Sequence, residues 1–211
     1  QEMLRKTIRD FSEKEIKPVA LKLDEKEEFS YALVKKMGEL GLFGMTISPE
    51  FGGQGLDYLS YVIAVEELAR VDGCQAATVA AENSLGIGPI YNFGSKEQKQ
   101  KYLPDLCAGK TLWGFGLTEP DAGSDASNSK TRAELKNGQW IINGSKIFIT
   151  NAASKITAGG TVQCVTGMGT KKEISCIIVP AGTTGFTSRE MHHKMTWRSS
   201  NTAELYFDNA Q

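Results

Sequence analysis

The chain has 211 residues, 40% of them hydrophobic, which is enough to build one large core or two ordinary ones, so disorder is not the expectation. Its 24 Lys and Arg against 25 Asp and Glu leave a formal charge of -1, so no global field draws it to nucleic acid or to an anionic membrane. Any anionic ligand must therefore be held locally. From Glu2 to about Cys107 the apolar residues recur at helical spacing. Leu4, Ile8 and Phe11 share one face of a first helix, with Arg5, Lys6, Arg9 and Asp10 on the other, and Pro18 ends or kinks it. Ser30 caps a second helix that runs through Leu40 and stops at Gly41. SPEFGGQG breaks regular structure, and DYLSYVIAVEELARVD then predicts a third helix with an inward stripe of Tyr58, Val62, Val65 and Leu68–Ala69. QAATVAAENSLGIGPIYNFG is nearly uncharged and reads as a central helix. SKEQKQKYLPDL is a shorter, exposed helix capped by Ser95, with Lys96, Lys99 and Lys101 as a solvated face.

After Gly109 the period changes to two. TLWGFGLT reads as a buried strand. TRAELK, QWII and SKIFIT predict a three-stranded meander, because Asn137–Gly138 and Asn143–Gly144 each carry the strongest short hairpin signal. TVQCVT, EISCIIVP and AELYF supply further strands. Helices and strands are segregated along the chain, which disfavours a parallel α/β sheet. The fold class is α+β: an all-α helical bundle over residues 1–109, then an antiparallel β-barrel or sandwich over 110–211.

Cys74, Cys107, Cys164 and Cys176 show no short ligand spacing, and the only histidines are His192 and His193. That argues against structural zinc and for free thiols in a reducing compartment. Adjacent histidines on a strand point to opposite faces, so a surface reading is preferred over a catalytic one. No apolar run approaches the roughly twenty residues of a membrane span, and QEMLRKTIRDF lacks the apolar centre of a signal peptide, so a soluble, intracellular chain is expected.

The stretch FGLTEPDAGSDASN, residues 115–128, poses a chemical question. It sets Thr118, Gly123 and Ser124 among the acids Glu119, Asp121 and Asp125, yet fits no phosphate loop or dinucleotide fingerprint. A strand ending in Leu117–Thr118 offers a hydroxyl and unpaired amides at a sheet rim, and Gly123 with Ser124 lets the backbone approach a flat heterocycle or a diphosphate. Composition alone favours an ordinary turn. IFIT, residues 147–150, offers Phe148 to cover an aromatic ring and Thr150 to bond its edge.

GLTEPDAGSD and NGSKIFITNA resemble the signature and the second flavin-contacting strand of the acyl-CoA dehydrogenase family. SPEFGGQG, VEELARVD, FGSKEQKQKYLPDLCAGK and WRSSNTAELYFDNA resemble further family segments, in order, over essentially the whole chain. The resemblance implies FAD as cofactor and an acyl-CoA thioester as substrate. Phe115, Leu117 and Thr118 match positions that contact the flavin ring. Gly123 and Ser124 match the turn at the FAD diphosphate, with Ser124 also reaching the CoA side. Phe148, Ile149 and Thr150 match the strand behind the ring, where many relatives carry Trp at the first position.

No catalytic base is assigned within these residues. Removing hydrogens from Cα and Cβ of a thioester requires a base and a hydride acceptor. The resemblance puts the base, a glutamate, in a third helical domain that would begin where FDNAQ ends, and suggests that Gln1 lies inside a trimmed first helix. Glu119 and Asp125 read as turn-forming or solvated carboxylates. Arg198, Ser199 and Ser200 are read either as ligand contacts or as a polar turn.

ENSLGIGPIYNFGSKEQKQ is similar to short-chain and short-branched-chain members, and Gln75 stands in the region where glutaryl-type relatives place Arg, favouring a neutral short acyl group. The resemblance also implies an electron-transfer flavoprotein as acceptor, a homotetramer, and a bacterial cytoplasmic or mitochondrial-matrix location. The alternatives are an oxygen-using enzyme of the same fold, such as an acyl-CoA or nitroalkane-type oxidase, and a non-catalytic acyl-CoA-binding scaffold.

Overall fold

The computed structural model describes residues 1–211. Two compact units form, one from Gln1–Leu112 with His192–Asn201 and one from Trp113–Met191 with Thr202–Gln211. The sequence division after residue 109 puts His192–Asn201 with the strands, whereas this segment is part of the helical unit.

The helical unit contains α1 (Glu2–Phe11), α2 (Lys17–Lys26), α3 (Tyr31–Glu39), α4 (Tyr58–Ala69), α5 (Gly73–Ala81), α6 (Gly88–Phe93) and α7 (Lys96–Cys107). Pro18 does not end the first helix. A π-helical turn over Ser12–Ile16 joins α1 to α2 with the backbone helical throughout, and Pro18, which has no N–H to give the ladder, follows directly after that wider turn. Caps form where the sequence puts them: Ser30 Oγ accepts from the Leu33 amide at 3.3 Å, and Ser95 with Gln98 closes a capping box on α7. A second π-helical turn, Glu82–Ile87, follows α5 and buries Asn83. Its amide side chain accepts from Met45 N at 2.9 Å and donates to Leu42 O at 2.8 Å, so the turn secures the loop after α3.

The inward stripe of α4 keeps Leu68 but otherwise differs from the expected one. Tyr58 and Val62 are 72% and 57% exposed, and the buried positions are Ser60, Ile63, Ala64, Glu67 and Leu68. Both faces of this helix are apolar, so periodicity alone could not select between them. The choice falls on the face carrying Glu67, because Arg9 grips that carboxylate in two-pronged fashion at 2.8 and 2.9 Å while Arg5 and Arg70 approach to 2.5 and 3.2 Å. A buried carboxylate is stable only with such partners.

The second unit is a seven-stranded sheet: β1 (Leu112–Gly116), β2 (Arg132–Lys136), β3 (Gln139–Thr150), β4 (Thr157–Met168), β5 (Lys172–Pro180), β6 (Phe186–Glu190) and β7 (Thr202–Ala210). The order is β1-β4-β2-β3-β7-β6, with β5 paired on β4. The pairings β2–β3, β3–β7, β4–β5 and β6–β7 are antiparallel, but β2 meets β4 in parallel at Arg132 and Val165, so the sheet is mixed. Ile142, Ile149, Val162, Cys164, Leu205 and Phe207 lie in its core.

Of the two Asn-Gly pairs, only the first makes a hairpin. Asn137 and Gly138 have φ of 53° and 81°, both left-handed as a type I′ turn demands, and they join β2 to β3. Asn143–Gly144 lies inside the continuous strand β3. Gly144, at φ 142°, lets β3 pass close to Thr131, since a Cβ there would come 2.6 Å from the threonine Oγ1. Asn143 accepts from the Asn209 amide at 2.9 Å, beside the irregularity where β7 has an extra residue.

Candidate functional site

The residues singled out by sequence come together at one end of β1 and β3. Ile147 N donates to Thr118 O at 2.9 Å, which ties the segment after β1 directly to the strand that carries Phe148 and Thr150. A Cβ on Gly116 would lie 3.2 Å from Lys146 Cγ, and one on Gly114 would lie 3.1 Å from Ile149 Cγ2, so the glycines of β1 permit this close approach.

The strand β3 is irregular where it reaches the site. Lys146 pairs with Leu205 and Ile149 with Ala203, three steps on β3 against two on β7, so β3 has one extra residue there. Strict alternation from the inward Lys146 would turn Phe148 into the core. The bulge, with Phe148 at φ 63°, turns Ile149 inward instead and leaves Phe148 61% exposed. A phenylalanine displayed outward on left-handed backbone is costly, and such outliers cluster at ligand sites. Ile149 has its side chain in the core and can offer a ligand only its backbone.

The loop from Thr118 to Asp125 begins with a tight turn. Glu119 N donates to Ala122 O at 2.8 Å and Ala122 N to Glu119 O at 3.2 Å, around Pro120 and Asp121. The next three amides, of Gly123, Ser124 and Asp125, donate to no acceptor within the chain, and these residues are exposed. Successive free amides are a ready anion-binding surface. Phe115, Leu117, Thr118 and Thr150 are half-buried at the rim.

Glu119 is not solvated. Its carboxylate is buried and accepts from Ser129 Oγ at 2.5 Å, Lys130 N at 2.7 Å, Thr131 N at 2.9 Å and Lys146 Nζ at 2.8 Å. Burial pushes its pKa up, but the bonds from Lys146, Ser129, Thr131 and the Lys130 amide prevail and hold it at about 2. Asp125 is turn-forming, accepting from Ser127 Oγ at 2.6 Å and, through its carbonyl, from Asn128 N at 3.0 Å. The buried Lys146 was missed by sequence reasoning. A lysine in an alternating strand reads as solvent-facing, and only the two bulges that flank it reveal its direction.

His192 and His193 follow β6 instead of lying within a strand, and both face Glu27, at 3.9 and 3.6 Å. They are exposed, as a surface role requires. Arg198 is occupied within the helical unit by Glu27 at 2.7 Å and by the carbonyls of Asp24 and Lys194, each at 3.1 Å, so it forms part of a polar turn.

The rim thus combines an outward phenylalanine, two half-buried threonines on the joined segments, and a run of amides without acceptors in the chain. Residues 1–110 match the family model described as acyl-CoA dehydrogenase, N-terminal domain, and residues 114–210 match the middle domain of the same family. A short-chain specific acyl-CoA dehydrogenase of Clostridium acetobutylicum is 43% identical over 208 residues, 99% of this chain and 55% of that protein. Among solved structures, a glutaryl-CoA dehydrogenase from Mycobacterium smegmatis in complex with FADH2 superposes with a TM-score of 0.93 at 37% identity, over 99% of this chain and 52% of the other. Butyryl-CoA dehydrogenase from Megasphaera elsdenii gives 0.92 at 38% identity, over 100% of this chain and 56% of the other. The chain thus spans about half the length of the relatives it matches.

Proposed function

Because the chain belongs to the acyl-CoA dehydrogenase family, we propose that it holds the flavin side of an enzyme that dehydrogenates a short acyl-CoA thioester between Cα and Cβ. The observation that carries this reading is the bond from Ile147 N to Thr118 O at 2.9 Å, which unites the two segments proposed to meet the ring. When bound, FAD supplies the acceptor for the hydride that leaves Cβ. Phe148 offers its face to the ring system, and the Thr118 and Thr150 hydroxyls bond its edge. The amides of Gly123 and Ser124 receive the diphosphate, and the Ser124 side chain extends toward the CoA side.

The α-proton needs a base from outside these 211 residues. Glu119 is unsuitable: four donors engage it, and a carboxylate held at about 2 has little affinity for a proton at neutral pH. Asp125 is exposed and engaged by its own turn. The base, a glutamate of a further helical domain, and contacts to the adenosine half of FAD are therefore proposed to come from a longer chain. Gln75, buried on α5 where glutaryl-type relatives place Arg, favours a neutral acyl group. Electron-transfer flavoprotein as acceptor, a homotetramer, and a cytoplasmic or mitochondrial-matrix location complete the proposal. No helix is long and apolar enough to cross a membrane.

The test is to load the chain with excess FAD, remove free cofactor, and record the visible spectrum before and after anaerobic butyryl-CoA. Retained flavin that stays oxidised is expected. Bleaching would place a base within the chain, and failure to retain any flavin would refute a self-sufficient flavin-holding rim.

A further inference from the structure

Lys146 is a fully buried cation that the proposed chemistry leaves without a task. Its three N–H donors meet three oxygens: Glu119 Oε1 at 2.8 Å, Leu117 O at 3.1 Å and Ser129 Oγ at 3.2 Å. Glu119 neutralises the charge. The bond to Leu117 has a different consequence, since it takes hold of the main chain at the rim.

In a planar trans peptide the C=O and the following N–H point in opposite directions. Drawing Leu117 O inward onto the buried ammonium therefore turns the Thr118 N–H outward. That N–H has no acceptor within the chain, while the Thr118 carbonyl is bonded to Ile147 N at 2.9 Å. Thr118 is thereby held at both of its peptide units. The same lysine is the last regularly paired residue before the bulge that exposes Phe148, and its inward direction sets the phase of that bulge. One buried side chain thus holds both segments of the rim.

The geometry assigns Lys146 as a positioning residue: through the Leu117 carbonyl it aims the Thr118 amide, and through the bulge it presents Phe148, toward the bound flavin ring. This assignment rests on the FAD reading above. It differs from a merely structural ion pair in what survives neutralisation. Replacing both charged partners removes the electrostatic liability but also removes the hold on Leu117.

The experiment compares the wild-type chain with the K146M/E119Q double variant. The variant is expected to fold, judged by far-UV circular dichroism, yet to bind FAD about tenfold more weakly, the effect of one lost hydrogen bond and a loosened rim. Its bound flavin should show a shifted visible band. In the wild-type chain, adding FAD should move the Thr118 amide resonance in a ¹H–¹⁵N spectrum and slow its exchange with solvent. A folded variant with wild-type affinity and spectrum would reduce Lys146 to an ion-pair partner. An unmoved Thr118 amide in flavin-loaded wild type would overturn the assignment even where the variant does not fold. A wild-type chain that takes up no FAD would refute a self-sufficient flavin-holding rim, and this role with it.

Discussion

A carboxylate taken out of water must be matched by donors, and two buried ones here, Glu67 and Glu119, are matched differently. Glu119 meets a buried ammonium and three further donors, whereas Glu67 meets three arginines whose outer parts remain in solvent. Removing the charge of Glu119 alone leaves Lys146 buried without its counterion. E119Q is therefore expected to destabilise the strand-rich unit by about 3 kcal/mol, as for one broken buried pair. Denaturant unfolding of the two proteins measures this, and a loss under about 1 kcal/mol would mean that Leu117 O and Ser129 suffice for the cation. The acidic signature was legible in the sequence, but its partner was not. Lys146 lies 27 positions away and shows no local sign of burial.

At the level of elements, the two Asn-Gly pairs show how one dipeptide serves two purposes. Gly138 occupies a hairpin turn with open space around its missing Cβ, so G138A pays only for left-handed backbone, about 1 kcal/mol. In G144A a Cβ would press on Thr131, with its Cα at 2.7 Å and its Oγ1 at 2.6 Å, and β2 would have to move from β3. G144A is expected to lower the thermal midpoint several-fold more than G138A. Equal midpoints would show that the strand yields easily. The hairpin signal is a property of local φ preferences, and Asn137–Gly138 obeys it. It does not distinguish Asn143–Gly144, where close passage of the chain at Thr131 selects glycine just as strongly as a turn does. The α4 stripe failed for a related reason: with apolar residues on both faces, the side to be buried was decided by the arginines of α1.

For the molecule as a whole, each unit contains one carboxyl group held at about 2 against an ordinary value of 4.5: Glu67, by its bonds from Arg9, Arg5 and Arg70 against the effect of burial, and Glu119. A folded-state pKa below the unfolded one means that the unfolded chain takes up the proton more readily as the medium turns acid. The stabilisation is fully present above about pH 5 and is lost as pH falls from there toward about 2. Thermal scans between pH 6 and 2.5 should therefore show a steep decline in both units. The E119Q variant should show a shallower decline in the strand-rich unit, whose transition Trp113 and Trp140 report by fluorescence. An unchanged slope in E119Q would mean that other carboxylates carry the acid sensitivity.

The sequence by itself determined the helix-then-strand order, the caps at Ser30 and Ser95, the hairpin at Asn137–Gly138 and the two segments that form the rim, because each is written in periods, caps and turn preferences spanning a few residues. Tertiary structure decided the parallel junction of β2 with β4, the return of His192–Asn201 to the helical unit, the buried face of α4, and the outward turn of Phe148. Those outcomes depend on which distant chain comes alongside. Glu67 and Glu119 are buried where an arginine or lysine from another element meets them, and a strand bulges where its neighbour's register requires it. Neither condition is visible in a local window of residues.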